Sequence, residues 1–338
     1  MSKKISVFIT SYNQKKYLIE AIESVLNQSL LPFEIIIVDD CSSDGSRNII
    51  EEYANKYRGL IRAFYNKQNL GIPQTKSFGF RQVRGDLVTL LDGDDRFLPT
   101  KLEKEFEIFI NHPEVRIVFS NVFFIDEHGN RTGIWCSENQ TLPPSCYIFH
   151  EVFAQKSPFW SFRNELIDYQ SLKKIGFYDS NFSIYEDWDL KIRQTKSFKV
   201  TYCPEPLSEY RQHSGGIHYL PASLHLSCVR RIYRKNYIML NHLSQTERAK
   251  IEKSLFKKMS LLANKAAYEE IEKGNKKAAL HYWMESLRFN HRYLDLKLIF
   301  RVLIPRSFYL PLKELYRSFC EKIRKKAGIV QEFENNSH

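Results

Sequence analysis

The chain has 338 residues, 43% hydrophobic and 26% charged, an ordinary composition for a soluble globular protein. Its net charge of +11 is unevenly placed: residues 1–220 hold 26 Lys and Arg against 28 Asp and Glu, and residues 221–338 hold 24 against 11. Six cysteines without a CxxC pair or zinc-like spacing argue against a disulfide framework or structural zinc, and no stretch approaches the roughly 18 uncharged apolar residues of a membrane span.

Residues 5–10 (ISVFIT) form the first expected strand, too short an apolar run for a signal peptide. It ends in Ser11, Tyr12 and Asn13, which puts a hydroxyl and an aromatic ring at its carboxyl end. Residues 15–28 then carry Tyr17, Leu18, Ala21, Ile22, Val25 and Leu26 at helical spacing. A second strand, FEIIIV at 33–38, ends in Asp39, Asp40 and the turn-forming CSSDGS. Asp44 suits the N-cap of a helix reaching about residue 57. A strand at 61–65, a helix at about 73–83 and a strand at 86–91 follow. That last strand is composed like a buried parallel strand and ends in Asp92, Asp94 and Asp95. Carboxylates clustered there must be solvated, paired or bound to a cation, and Gly93 lets the chain turn so that Asp92 and Asp94 converge.

This alternation predicts a doubly wound α/β fold with parallel strands and right-handed crossovers. Ligands of such sheets bind outside the carboxyl ends of the strands, so the three ends should line one pocket. Beyond Pro99 the pattern gives a helix to about residue 111, strands at 115–120 and 122–126, and the turn HGN. Residues 131–185 read as irregular and aromatic-rich, a composition suited to covering a substrate. From about residue 220 helix dominates, broken at Gly274-Asn275, Pro305 and Pro311. Residues 265–290 read as one helix-turn-helix unit with no second copy.

ITSYN, VDDCSSDGS, NLGIPQTKSFGF, LLDGDD, EDWDL and YRQHS occur in the order and at about the spacing seen in the family-2 glycosyltransferases, which the chain resembles over roughly residues 3–215. The resemblance implies a GT-A-like, mostly parallel sheet flanked by helices, with a catalytic domain at 1–219 and a basic helical region at 220–338. It also implies metal-dependent, inverting transfer from a nucleotide-diphosphate sugar, UDP above others, to the hydroxyl of a saccharide or lipid-linked saccharide in cell-surface glycan biosynthesis. By the same resemblance Thr10, Tyr12 and Asp40 hold the base, with Tyr12 stacking and Asp40 accepting from a ring N–H. Asp92 meets the ribose, and Lys76, where relatives carry Arg, approaches the diphosphate. Asp94 and His213 hold Mn²⁺ or Mg²⁺, Asp187 of the Glu186-Asp187 pair is the general base, and Trp160 lines the acceptor side. Glu186, one residue from Asp187, is expected to orient the acceptor or to raise the basicity of its neighbour.

The residues alone leave other readings open. DGDD also suits a solvated turn or a helix cap, Tyr12 an ordinary loop aromatic, Asp40 a turn cap, and EDWD the acidic first turn of a helix. Arg211 suits a phosphate clamp or an acid pair, and Asp189 a helix surface or capping position. A nucleotidyltransferase is one functional alternative, although a Gly-rich basic loop is missing after the first strand. The other is a non-catalytic nucleotide-sugar-binding scaffold, whose mark would be a broken acidic set. Residues 292–326, rich in bulky apolar and basic side chains, fit peripheral contact with an anionic membrane as well as packing on another protein surface. No nucleic-acid motif accompanies the charge, so none is expected as partner. The expected location is the cytoplasm, at the inner face of the membrane.

Overall fold

The computed structural model describes residues 3–137, 147–212 and 220–290. Its first half alternates as the periodicity predicts: β1 (Ile5–Ser11), α1 (Lys15–Leu26), β2 (Glu34–Asp39), α2 (Ser46–Lys56), β3 (Ile61–Tyr65), α3 (Ile72–Arg81) and β4 (Leu87–Asp92). Strand β1 pairs in parallel with β2 and β4, and β2 with β3. Thr10 stands opposite both Val38 and Asp92, and Ser11 opposite Asp39. The three carboxyl ends therefore finish at one level, as the strand sequences predict.

The elements that follow are β5 (Arg96–Phe97), α4 (Lys101–Asn111), β6 (Val115–Ile125), β7 (Arg131–Ile134), α5 (Phe149–Phe153), β8 (Leu166–Asp168), α6 (Tyr169–Ile175), α7 (Glu186–Ser197) and β9 (Lys199–Arg211). Among the described residues the strands form one sheet in the order β3-β2-β1-β4-β8-β6-β9-β5, with β7 beside β6. β8 runs antiparallel to β4 and β6, while β6 and β9 are parallel. The sheet is thus mixed in its second half and parallel in its first, in keeping with the mostly parallel sheet expected.

Two further expectations change. The strands predicted at 115–120 and 122–126 are one strand, β6, with register shifts around Asn121 where it faces Pro206 of β9. Proline cannot donate to a ladder; the Asn121 side chain donates to Pro204 O on that side at 3.3 Å and to Cys136 O at 2.8 Å, and accepts from the Val122 and Cys136 amides at 3.0 Å. The stretch 131–185, expected to be irregular, holds β7, α5, β8 and α6 in its described parts.

One face of the parallel half buries Leu18, Ala21, Ile22 and Val25 of α1 against Val7, Ile9, Ile35 and Ile37. Each of the Leu, Ile and Val side chains contributes about 1.5–3 kcal/mol on leaving water. On the other face Phe8 packs edge-to-face on Phe80 of α3 at 5.5 Å. Gly79 permits that approach, since a Cβ there would sit 2.1 Å from the Phe8 ring. Asp44 links α1 to α2 by accepting from the amides of Lys15 at 2.8 Å and Ser46 at 2.9 Å, while Gly45, at φ 96°, occupies the cap position itself.

The chain divides into two compact units, Met1–Leu220 with Cys228–Leu255, and Pro221–Ser227 with the chain from Phe256 onward. Helices α8 (Ala222–Asn236), α9 (Gln245–Glu272) and α10 (Lys276–Phe289) complete the described chain. In the second unit α9 and α10 form a hairpin around Ala267, Ala279, Tyr268, Ile271, Tyr282 and Trp283. It turns at Gly274, φ 80°, as the sequence predicts, and Asn275 caps α10 by accepting from the Ala278 amide. Pro305, Pro311 and the basic stretch 292–326 lie outside the described residues. No described helix is long and apolar enough to cross a membrane.

Candidate active site

The end of β4 is fixed from several sides. The Gly93 amide donates to Thr10 O at 2.9 Å, and a Cβ on Gly93 would lie 2.4 Å from Gln14 Oε1 and 2.7 Å from Thr10 O. Glycine is therefore required by close backbone approach. Thr10 Oγ1 donates to Asp92 Oδ1 at 2.9 Å, and Lys76 Nζ lies 3.0 Å from the same oxygen. Burial pushes the Asp92 carboxyl up, but Lys76 and Thr10 outweigh it and hold it below its ordinary value. Burial likewise works against the Lys76 ammonium, while Asp92, then Tyr178 and Glu186, hold it above the usual lysine range. This triad ties β1, α3 and β4 into one polar cluster.

Asp95 is 1% exposed. Its Oδ1 accepts from the Arg211 amide at 2.9 Å, and its Oδ2 meets no donor among the described residues. Burial first, and repulsion from Asp94 second, raise its carboxyl well above the ordinary range. A buried acid with an unpartnered oxygen beside a second acid is the kind of oxygen donor set that hard divalent cations satisfy. No group of three His, Cys, Asp or Glu side chains among the described residues closes into a complete ligand set. His213 lies outside the described residues, so the expected histidine ligand has no described position.

Arg211 is 2% exposed and spends its donors on protein: Nε on Asp94 O at 2.9 Å, Nη1 on Asp126 O at 3.2 Å and Nη2 on Glu20 Oε2 at 2.8 Å. It clamps the DGDD loop and pairs with an acid. Of the two readings left open by the sequence, the phosphate clamp is the one the geometry disfavours.

Asp40, 4% exposed, accepts from Asn66 Nδ2 and the Leu70 amide at 2.8 Å and from the Gly71 amide at 2.9 Å. It folds the loop that leads into α3, with Gly71 at φ 81°. Asp39 is likewise used structurally, accepting from the Ser42 amide at 2.9 Å. Tyr12, 48% exposed, leaves its ring in solvent at the end of β1.

Glu186 and Asp187 open α7. Tyr185 at its N-cap has φ 61°, a costly conformation for a bulky residue that marks a constrained turn. Trp188, fully buried, donates Nε1 to Val152 O at 2.8 Å and so fixes the roll of the helix against α5. Burial raises the Asp187 carboxyl, but Lys191, one turn on at 2.7 Å, outweighs it together with Lys76 and Arg163, so the group titrates below its ordinary value. Glu186, 8% exposed, goes the other way: burial first and Asp187 second raise it to about 7. Asp189 is fully buried and bonded to Arg193, Lys235 and Asn236. That corrects the expectation of a surface or capping position. Trp160 packs its ring 6.4 Å from that of Tyr185, whereas Phe162 is core, stacked on Phe119 at 4.6 Å.

Thr10, Lys76, Asp92, Glu186 and Asp187 are thus brought within electrostatic reach of one another, with Tyr12, Asp40 and Trp160 on the flanking elements. Sequence reasoning missed three neighbours: Lys191, Tyr178 and Arg163. Lys191 was findable as the i+4 partner of Asp187. The other two lie in segments where no periodicity singles them out.

Fold and site together define an α/β protein of the GT-A class, with acids gathered at the carboxyl ends of parallel strands. Solved structures show the same fold: Staphylococcus aureus TarS 1-349 in complex with UDP-GlcNAc (TM-score 0.55, 17% identity, covering 93% of this chain and 92% of that one), and the mannosyltransferase PcManGT from Pyrobaculum calidifontis in complex with GDP-Man and Mn²⁺ (TM-score 0.53, 14% identity, covering 94% and 83%). Residues 6–182 match the model of glycosyl transferase family 2, and the chain belongs to that family. An uncharacterized glycosyltransferase of Methanocaldococcus jannaschii, MJ1057, is 32% identical over 61% of this chain and 70% of its own length. The mycobacterial relatives are matched over 60% of theirs.

Proposed function

We propose that the protein transfers a sugar from a nucleoside diphosphate sugar, with UDP as the preferred nucleotide, to a hydroxyl of a saccharide or lipid-linked saccharide, with inversion, in glycan biosynthesis. The observation that carries this reading is Asp187, held 2.7 Å from Lys191 on a rigid helix N-terminus and within electrostatic reach of the Lys76–Asp92–Thr10 cluster. A single displacement needs that arrangement. The acceptor oxygen bonds to the anomeric carbon as the bond from that carbon to the diphosphate oxygen breaks. The electron pair leaves with the nucleoside diphosphate, and the hydroxyl proton passes to Asp187.

Tyr12 and Asp40 take the base, Asp92 the ribose, and Lys76 the diphosphate. Glu186 and Trp160 face the acceptor. Asp94, with His213, would hold a divalent cation, Mn²⁺ or Mg²⁺; bound there, such an ion supplies charge neutralisation of the diphosphate. Support comes from the unpartnered Asp95 oxygen next to Asp94, and from PcManGT, a protein of like fold whose complex contains Mn²⁺. We place the catalytic domain at 1–219. The excess of basic residues beyond 220 makes peripheral contact with an anionic membrane part of the same proposal.

The test is release of nucleoside diphosphate from a panel of UDP-, GDP- and dTDP-sugars with saccharide acceptors, using the full chain and its Asp187→Asn variant. Turnover by the wild type that is lost in the variant is expected. Undiminished turnover in the variant would remove Asp187 from the role of base, and no turnover of any donor would favour the binding-scaffold alternative.

A further inference from the structure

Arg163 stands between two pinned neighbours, Phe162 and Asn164, which are 1% and 6% exposed. Phe162 stacks on Phe119, and Asn164 O accepts from Thr89 Oγ1 at 2.9 Å. The guanidinium carbon lies 3.5 Å from the ring centroid of Tyr210. The residue after Tyr210, Arg211, is the one whose amide holds Asp95. Stacking on Tyr210 therefore sets Arg163 beside the DGDD loop, where Asp95, Asp187 and Asp92 all act on its charge.

A guanidinium carries five N–H donors and keeps its proton throughout the accessible pH range. Among the described residues Arg163 makes no hydrogen bond or ion pair, its stack on Tyr210 being its direct contact. The neighbouring cations differ. Lys76 is shared with Asp92, Lys191 is spent on Asp187, and Arg211 on Glu20 and main-chain carbonyls. Two of the nearby acids, Asp92 and Asp187, already have a cationic partner. A planar fork of unspent donors, held by an aromatic ring and flanked by buried neighbours, matches a tetrahedral oxyanion in geometry and charge.

We propose that Arg163 binds the sugar-side phosphate of the donor and stays with it as the leaving group. Its stack on Tyr210, next to the residue that holds Asp95, and the pull of both Asp95 and Asp187 on its charge are the reason for choosing that phosphate: the bond to be broken lies between the acids at the diphosphate and the base at the acceptor. The electron pair released by that cleavage ends on an oxygen of this phosphate, next to a fixed positive charge. The inference rests on the proposed transfer from a nucleoside diphosphate sugar.

The test is calorimetric titration of the full chain with UDP and UMP, and with GDP and GMP, for wild type, Arg163→Gln and Arg163→Lys, with thermal unfolding as the folding control. The monophosphates lack only the phosphate assigned to Arg163. Arg163→Gln is expected to weaken diphosphate binding about 10- to 100-fold and to leave monophosphate binding within about twofold, and Arg163→Lys, which keeps charge but loses the fork, to fall between. Equal weakening of both nucleotides, or no weakening, overturns the assignment; the latter leaves the guanidinium to the acceptor side. If the wild type binds none of the four nucleotides, the donor reading itself fails and this inference with it.

Discussion

Asp187 and Glu186 are neighbours on one helical turn, yet their surroundings drive their protons apart. Lys191 keeps Asp187 ionised against its burial, whereas Glu186 is raised to about 7 by burial and by Asp187 itself. Divergent carboxylates of this kind divide a base from a group that keeps its proton. Asp187→Asn should lower transfer by about 10²–10⁴-fold while nucleotide affinity stays unchanged, as read by steady-state kinetics beside calorimetry. For Glu186 the linkage has a definite sign. Its folded value lies above the unfolded one, 4.5, so the folded state holds the proton longer and the wild type loses stability from this group as pH rises from about 4.5 to about 7. Glu186→Gln should therefore melt at about the wild-type temperature near pH 4.5 and above it at pH 8. A difference that shrinks with rising pH would contradict this account of Glu186.

At the level of elements, the site depends on a level set of strand ends and on the roll of α7. Gly93→Ala would force a Cβ to within 2.7 Å of Thr10 O, a backbone atom that cannot swing away. The expected result is destabilisation of about 1–3 kcal/mol, measured by denaturant unfolding, together with loss of nucleotide binding. Asp189→Ala removes the shared acceptor of Arg193, Lys235 and Asn236, and the cost of leaving such partners uncompensated is about 3–5 kcal/mol. A loss under 1 kcal/mol would show that Asp189 is not the anchor between α7 and α8.

The parts of this design that were legible in the sequence are local. β1, β2 and β4 are short apolar runs that stop at acids or hydroxyls, and α1 repeats its apolar face every three or four residues, so these elements and the level set of their ends follow from pattern alone. β9 was not legible, because Pro204, Pro206, Glu205 and Glu209 break its alternation, and around Pro206 it carries residues with no opposite number on its partner β6. Asp189 was misplaced for a related reason: its partners Lys235 and Asn236 arrive from a helix 46 and 47 residues later. Arg163 stood in a segment already marked as aromatic, but its significance comes from Tyr210, 47 residues away, and no spacing rule joins the two.

Across the whole chain, the excess of Lys and Arg over Asp and Glu lies entirely beyond residue 220. Attraction of such a region to anionic lipid is electrostatic and weakens as the Debye length falls to about 8 Å near physiological salt. The full chain should co-sediment with phosphatidylserine-containing vesicles at low ionic strength and be released by added salt. Equal recovery with neutral vesicles would contradict the membrane proposal and favour a protein surface as the partner of that region.

The central claim is that the carboxyl ends of β1, β2 and β4 form a nucleotide-sugar site completed by a divalent cation at Asp94. The most direct measurement is calorimetric titration of UDP into the full chain, with and without Mn²⁺, beside an Asp94→Ala variant that retains the wild-type melting temperature. UDP binding that strengthens with Mn²⁺ in the wild type, and loses that dependence in the variant, is the predicted result. A folded wild-type protein that binds UDP equally well in both conditions, or not at all, would contradict it.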